Sequence, residues 1–223
     1  MLASTTSCND WLEVKPNNEQ ITSDFWQSKE DVESVVLSGY VYLCNAVPTL
    51  IKWGELRGGT FYSTNTSEAR VQNFNLTSSH SLCDYSVIYK IINAANSVIK
   101  YAPDVRSIDG TYHEAMMNAH LCEAYFLRAY SNLILVKNFK EVPLVLEPYV
   151  DDSAPFDIAK STEEEIVKQI KNDILDALNT GAAKSRYGDD TWENQGRVTK
   201  WALYALMADV CLWSEDYDMC KVY

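Results

Sequence analysis

Thr111-Tyr112-His113-Glu114-Ala115-Met116-Met117-Asn118-Ala119-His120-Leu121-Cys122-Glu123-Ala124-Tyr125-Phe126-Leu127-Arg128-Ala129-Tyr130-Ser131-Asn132-Leu133-Ile134-Leu135-Val136-Lys137-Asn138-Phe139 contains neither glycine nor proline. Thr111 stands three residues before Glu114, the spacing of a capping box, in which hydroxyl and carboxylate satisfy each other's backbone N–H. Ala115, Ala119, Cys122, Phe126, Ala129, Leu133 and Val136 then alternate spacings of four and three, so one helical face is small or apolar throughout. The pattern predicts a helix over 112–139. Leu121, Tyr125 and Leu135 fall on other sides, so neighbours are expected on more than one face. Pro143 and Pro148 make 142–150 an extended connector.

The same periodicity extends outward in both directions. Ser28 precedes an acidic turn, and Val32, Val35, Val36, Gly39, Tyr40 and Leu43 predict a helix over 29–46. From Pro48 to Leu82 the period fails amid Gly54, Gly58 and Gly59, which predicts a long irregular segment. Asp84 is placed to cap a helix over 84–102, with Pro103 as its stop. Ser161-Thr162-Glu163-Glu164-Glu165 puts acids at the positive end of a helix over 161–179, closed by Gly181. A fifth helix over 199–214 carries Leu203, Leu206, Met207, Val210 and Trp213 beside a track of Ala202, Ala205 and Ala208, which lets another helix approach closely. Its continuation through Glu215-Asp216-Tyr217 resembles the first helix and turn of a tetratricopeptide repeat. The expected fold is all-α, with helical hairpins stacked on one another.

Charge narrows the partners. A formal net charge of −12 repels phosphate backbones, which sets nucleic acid aside. The 14 Tyr and 6 Trp are amphipathic rings that suit sugars as well as a core. No run reaches the roughly 20 apolar residues of a bilayer span.

Catalytic patterns are missing. Cys44, Cys83, Cys122, Cys211 and Cys220 form no C-x-x-C pair and read as small core hydrophobes. His113 and His120 lie two turns apart on one helix without a carboxylate or thiol that completes a ligand set, so no metal or other cofactor is expected. Adjacent acids such as Asp189-Asp190 read as a solvated turn, and neither a Gly-x-Ser-x-Gly elbow nor a phosphate-cradling glycine loop occurs. The chain is not expected to be an enzyme.

At the N-terminus, Met1 to Ser7 lead through small residues into Cys8-Asn9-Asp10, which looks like the tail of a bacterial lipoprotein signal with Thr5 where leucine is usual. Ser7-Cys8-Asn9-Asp10-Trp11-Leu12-Glu13-Val14-Lys15-Pro16 resembles the mature start of the SusD/RagB family of nutrient-binding lipoproteins. Phe25-Trp26, Trp53-Gly54-Glu55-Leu56-Arg57 and Ile88-Tyr89-Lys90-Ile91-Ile92-Asn93-Ala94-Ala95-Asn96 are similar to its next blocks. Glu123 to Tyr130, running through Asn138-Phe139 into Val142-Pro143-Leu144, resembles the helix of that family that ends in Tyr/Phe-Gly-x-Val-Pro-Leu, with Lys140 in the glycine's place. Gly196-Arg197-Val198-Thr199-Lys200 resembles the family's entry into its next helix.

This resemblance implies a right-handed stack of tetratricopeptide-like hairpins with long irregular loops. It implies that 1–8 is the remnant of a lipoprotein signal ending in the acylation site Cys8. Residues 9–223 would then be the N-terminal portion of a longer helical domain, truncated at its C-terminus. It further implies lipid anchoring on the extracellular face of the outer membrane, capture of an oligosaccharide or polysaccharide, and delivery to a TonB-dependent transporter of the SusC type.

Sugar binding requires flat rings beside hydrogen-bonding groups on a concave surface. The irregular stretch offers Trp53, Tyr62, Asn65, Arg70 and Phe74, and the loop 186–197 offers Tyr187, Asp189 and Trp192. Packing is the competing assignment for each ring, and Trp11, Trp26, Trp201 and Trp213 are assigned to packing. A helical-repeat scaffold for a protein or peptide partner, and a glycoside hydrolase, remain as alternative readings.

Overall fold

The computed structural model describes residues 25–150, 157–189 and 191–223. The long helices are α1 (Lys29–Ile51), α3 (Ser86–Ile108), α4 (Glu114–Phe139), α5 (Glu163–Asn179) and α7 (Lys200–Trp213). Shorter ones are α2 (Thr66–Gln72), α6 (Thr191–Gly196) and α8 (Tyr217–Cys220). Among the described residues the strand-like pairing is one antiparallel bridge, Val142 to Ser161. The fold is all-α, as the periodicity predicts.

Local chemistry explains most of the boundaries. Ser28 and Asp31 form a reciprocal capping box on α1, and the Ser28 hydroxyl holds the Asp31 carboxyl below its ordinary range. Thr162 and Glu165 do the same on α5, and Thr199 caps α7 by accepting from Ala202 N. Gly181, at φ +67, sits past the end of α5 in the left-handed region that favours glycine.

Several expectations fail. Asp84 is not the cap of α3, whose N-cap residue is Tyr85 without a side-chain hydrogen bond. Thr111 does not cap α4: its hydroxyl and backbone N–H donate instead to Asp109 Oδ1 at 2.7 and 2.8 Å. Asp109 Oδ2 also accepts from Lys29 N at 3.0 Å, so this carboxylate ties the α3–α4 turn to the start of α1. Pro103 does not stop α3, which runs on to Ile108 because Ala102 and Val105 on either side are fully buried and offset the lost hydrogen bond. Pro48 likewise lies inside α1, which continues into a π-helical turn at Lys52–Leu56. The resulting run, Lys29–Leu56, is long and apolar enough to cross a membrane, contrary to the sequence expectation. Here it is a packed helix, with Val32, Val36 and Gly39 buried.

Successive long helices pack on one another, α1 on α3, α3 on α4, α4 on α5 and α5 on α7, so the hairpins form a stack. Helix α4 is its axis, since α1, α3, α5 and α7 all touch it. Accordingly its buried residues include Glu123, Arg128 and Asn132 as well as Leu127, Leu133 and Leu135. A Cβ built on Gly39 would stand 2.9 Å from Leu127 Cδ1, so glycine allows α1 its close approach to α4. Of the cysteines, Cys122 and Cys211 are buried as expected, whereas Cys44 is exposed on α1; all five described cysteines are free.

Lys140 has φ +66 and ψ −90, a conformation strained for any side chain with a Cβ, at the position where the family resemblance places glycine. Its ammonium lies 4.8 Å from the Trp213 ring and 3.2 Å from Glu163 Oε2. Lys140→Gly is expected to be about 1 kcal/mol more stable than Lys140→Ala in urea denaturation, because both lose the ammonium and only glycine relieves the strain.

Candidate functional site

The irregular segment is built around Trp53. Its indole N–H donates to Leu82 O at 2.8 Å and its ring meets the edge of Phe139 at 5.2 Å, leaving the residue 7 % exposed. Trp53 is therefore a core residue and not a surface ring, which corrects its place among the candidates. From that base the chain leaves the stack, forms α2 and returns. Asn65 caps α2 by accepting from Ser67 N and Glu68 N, and Lys52 pairs with Glu68 at 2.7 Å. His80 closes the segment, its Nε2 2.9 Å from Ser67 Oγ and its Nδ1 accepting from Leu82 N.

This brings Tyr62, Asn65, Arg70 and Phe74 onto one seven-residue helix and its two flanks. Asn65 and Arg70 are exposed. Tyr62 is 85 % and Phe74 77 % exposed, so neither ring belongs to the core. Phe74 has φ +53 and occupies the left-handed position after α2, where Phe74 N donates to Val71 O and Asn75 N to Arg70 O. A bulky residue there is strained.

The second loop divides its candidates. Tyr187 is only 7 % exposed: its hydroxyl donates to Val198 O at 2.9 Å, and its backbone N–H to Asn194 Oδ1 at 2.7 Å. Lys184 and Arg197 lie 4.4 and 5.5 Å from its ring centroid. Burial pushes the Tyr187 hydroxyl well above its ordinary value. Tyr187 is thus a second correction, a packing residue and not a surface ring. Asp189 is fully exposed and pairs with Arg186 at 3.5 Å. Trp192, on α6, is 61 % exposed. Trp201, assigned to packing by sequence, is also largely exposed.

What holds Tyr187 in place is a cluster that local pattern does not reveal. Arg197 grips Glu123 with two hydrogen bonds, Nε to Oε2 at 3.0 Å and Nη2 to Oε1 at 2.7 Å. Tyr40 donates to the same Oε2 at 2.7 Å and accepts from Val198 N at 3.1 Å. The Gly196-Arg197 block thereby fastens the entry of α7 to α1 and α4, a structural role that explains arginine at this position. His120, in hydrogen-bond contact with Tyr112 at 2.9 Å, is held below its ordinary pKa by burial. Among the described residues no group of three or more His, Cys, Asp or Glu is placed to hold a metal ion. Cys8 lies outside the described residues.

Sequence reasoning also missed a concave feature. Trp26, Tyr42, Tyr89 and Tyr149 line a cleft of about 410 Å³ between α1 and α3. The signal was present in the i, i+3, i+4, i+7 row Ser86, Tyr89, Lys90, Asn93 on one face of α3, but only the packing of α1 turns that row into a cleft wall.

A family model described as starch-binding and associating with the outer membrane matches residues 10–212. Two curated relatives from Formosa agariphila, SusD-like proteins P2 and P25, are 24 % and 25 % identical to the chain. Each alignment covers 98 % of this chain and 42 % of the relative. Among solved structures, NanU of Bacteroides fragilis superposes with a TM-score of 0.73 at 23 % identity, covering 94 % of this chain and 43 % of that one. A laminarin-binding SusD-like protein superposes with a TM-score of 0.72 at 20 % identity, covering 87 % and 42 %. The chain spans about two fifths of the length of the curated relatives it matches. With its hairpin stack and the ordered sequence blocks falling almost wholly inside the matched region, this chain belongs to the SusD-like family.

Proposed function

We propose that this chain is the scaffold-bearing portion of a surface glycan-binding lipoprotein, acylated at Cys8 and held on the extracellular face of the outer membrane. There it captures oligosaccharide and passes it to a TonB-dependent transporter without cleaving it. The observation that carries the binding reading is the exposure of Tyr62 and Phe74 on either side of α2, with Asn65 and Arg70 between them. Such rings offer a face for a pyranose, and the amide and guanidinium supply hydrogen bonds to its hydroxyls. Trp192 adds a third exposed ring on the second loop. Asp189 pairs with Arg186 in solvent, an arrangement that supports a binding role over acid–base cleavage.

Replacing Tyr62, Phe74 or Trp192 by Ala in the full-length protein is expected to weaken binding to its cognate glycan by about 1 to 2 kcal/mol, with little change in melting temperature. Isothermal titration checks this, and unchanged affinity in all three variants overturns the assignment. Cys8→Ala is expected to move the protein from the membrane fraction to the soluble fraction, since acyl chains would supply its membrane affinity. Retention of Cys8→Ala in membranes, with no acyl label on the native protein, removes the anchor.

One observation favours protein contact as a second reading. Leu37, Val41, Val47 and Ile51 expose an apolar row along the outer face of α1, and Trp201 and Leu212 do so on α7. Rows of this kind mark surfaces that another protein layer covers. Both readings are compatible in a glycan receptor that docks on a transporter.

A further inference from the structure

The cleft between α1 and α3 has the chemistry of a binding site that none of the candidates above includes. One wall is α1, through Val35, Ser38 and Tyr42; the other is α3, through Tyr89, Lys90 and Asn93. Trp26 closes one side and Tyr149 contributes a fourth ring. The volume of about 410 Å³ lies within the roughly 300–1,000 Å³ range of small-molecule sites. Tyr89, Asn93 and Tyr149 are shared with an adjoining hollow of about 300 Å³ that Pro143, Val145 and Ile158 complete, so the feature is elongated.

Several of its groups are held firmly. Trp26 stacks on Tyr101 with centroids 5.0 Å apart. Tyr89 donates to Pro143 O at 2.8 Å. The Asn93 amide bonds both ways to the backbone of Tyr149, at 2.7 and 3.2 Å. By contrast, among the described residues the Tyr42 hydroxyl and the Lys90 ammonium form no hydrogen bond or ion pair, although Asp84 is near enough to feel the Lys90 charge. Rigid rings beside two unspent donors suit a ligand with a flat C–H face and a rim of oxygen acceptors. A purely apolar occupant would leave both donors unused.

We infer that this cleft is a second sugar subsite, apart from the rings on the loops, which takes pyranose units of an oligosaccharide with Tyr42 and Lys90 donating to the sugar oxygens. The inference rests on the glycan-binding reading, and the experiment separates the two. The full chain is titrated with maltoheptaose, laminarihexaose and an oligomer of uronic acid. The comparison covers the unaltered protein, the loop variant Tyr62→Ala/Phe74→Ala/Trp192→Ala, the cleft variants Tyr42→Phe and Lys90→Met, and the loop variant carrying Tyr42→Phe as well. The conservative cleft changes remove a donor from half-buried or exposed positions, so melting temperatures should hold.

If the cleft is a subsite, each cleft variant loses roughly three- to tenfold in affinity for the probe that binds, the worth of one hydrogen bond. The loop variant then keeps residual binding that Tyr42→Phe weakens further. The probe that binds tells a neutral sugar from an acidic one facing Lys90. Cleft variants that bind like the unaltered protein overturn the subsite and leave the loop reading standing. An unaltered protein that binds none of the three probes counts against both.

Discussion

Asp173→Ala is expected to lower the free energy of unfolding by about 3 to 5 kcal/mol, because it strands a charge in the core. Arg128 Nε and Nη2 donate to the two Asp173 oxygens at 2.9 and 2.7 Å, and both residues are buried. Arg128 Nη1 also donates to Asn96 Oδ1 at 2.9 Å, and the Asn96 amide donates on to Val145 O at 3.0 Å. The network thus joins α3, α4, α5 and the connector. Burial pushes the Asp173 carboxyl up, while the guanidinium and the Gln169 amide pull the other way, so the pair survives only as a pair. Arg128→Met combined with Asp173→Leu should recover much of the loss, since no charge is then stranded. Urea denaturation of Arg128→Met, Asp173→Leu and the double variant measures the coupling. Near-additive losses would show that the pair does not act as a unit.

Trp53→Ala carries the second large effect, about 3 to 5 kcal/mol of stability, with no change in glycan affinity for the protein that remains folded. The ring fills the space against Phe139, and its N–H satisfies Leu82 O, so truncation creates both a cavity and an unpaired carbonyl. Trp53→Phe keeps most of the volume and should lose less. A melting curve and an isothermal titration on the same preparations distinguish core from ligand surface. Loss of affinity without loss of stability would return Trp53 to the binding site.

The contrast between Trp53 and Tyr62 shows where reading along the chain stops. Both are aromatic residues in or beside one glycine-punctuated stretch, and nothing local separates them. They part because Leu82 and Phe139, 29 and 86 positions further on, arrive to cover one ring and not the other. Tyr187 and Trp192 divide in the same way, Tyr187 being taken into the cluster of Arg197 and Glu123, which are 74 residues apart in the chain.

Helix positions, the caps at Ser28 and Thr162, the all-α class and the family were legible in the sequence, because each depends on groups within a turn or two or on the order of short blocks. Ser28 finds Asp31, and Thr162 finds Glu165, whatever the rest of the chain does. Pro103 fails to stop α3 for the complementary reason. A proline's local cost is known from sequence, but the burial of Ala102 and Val105 that outweighs it exists only once α3 lies against its neighbours. Tertiary structure alone decided which rings face solvent, that Arg128 and Asp173 meet across 45 residues, and that the rows on α1 and α3 enclose a cleft. Burial and long-range charge pairing belong to the packed stack, and no stretch of sequence contains the neighbour that creates them.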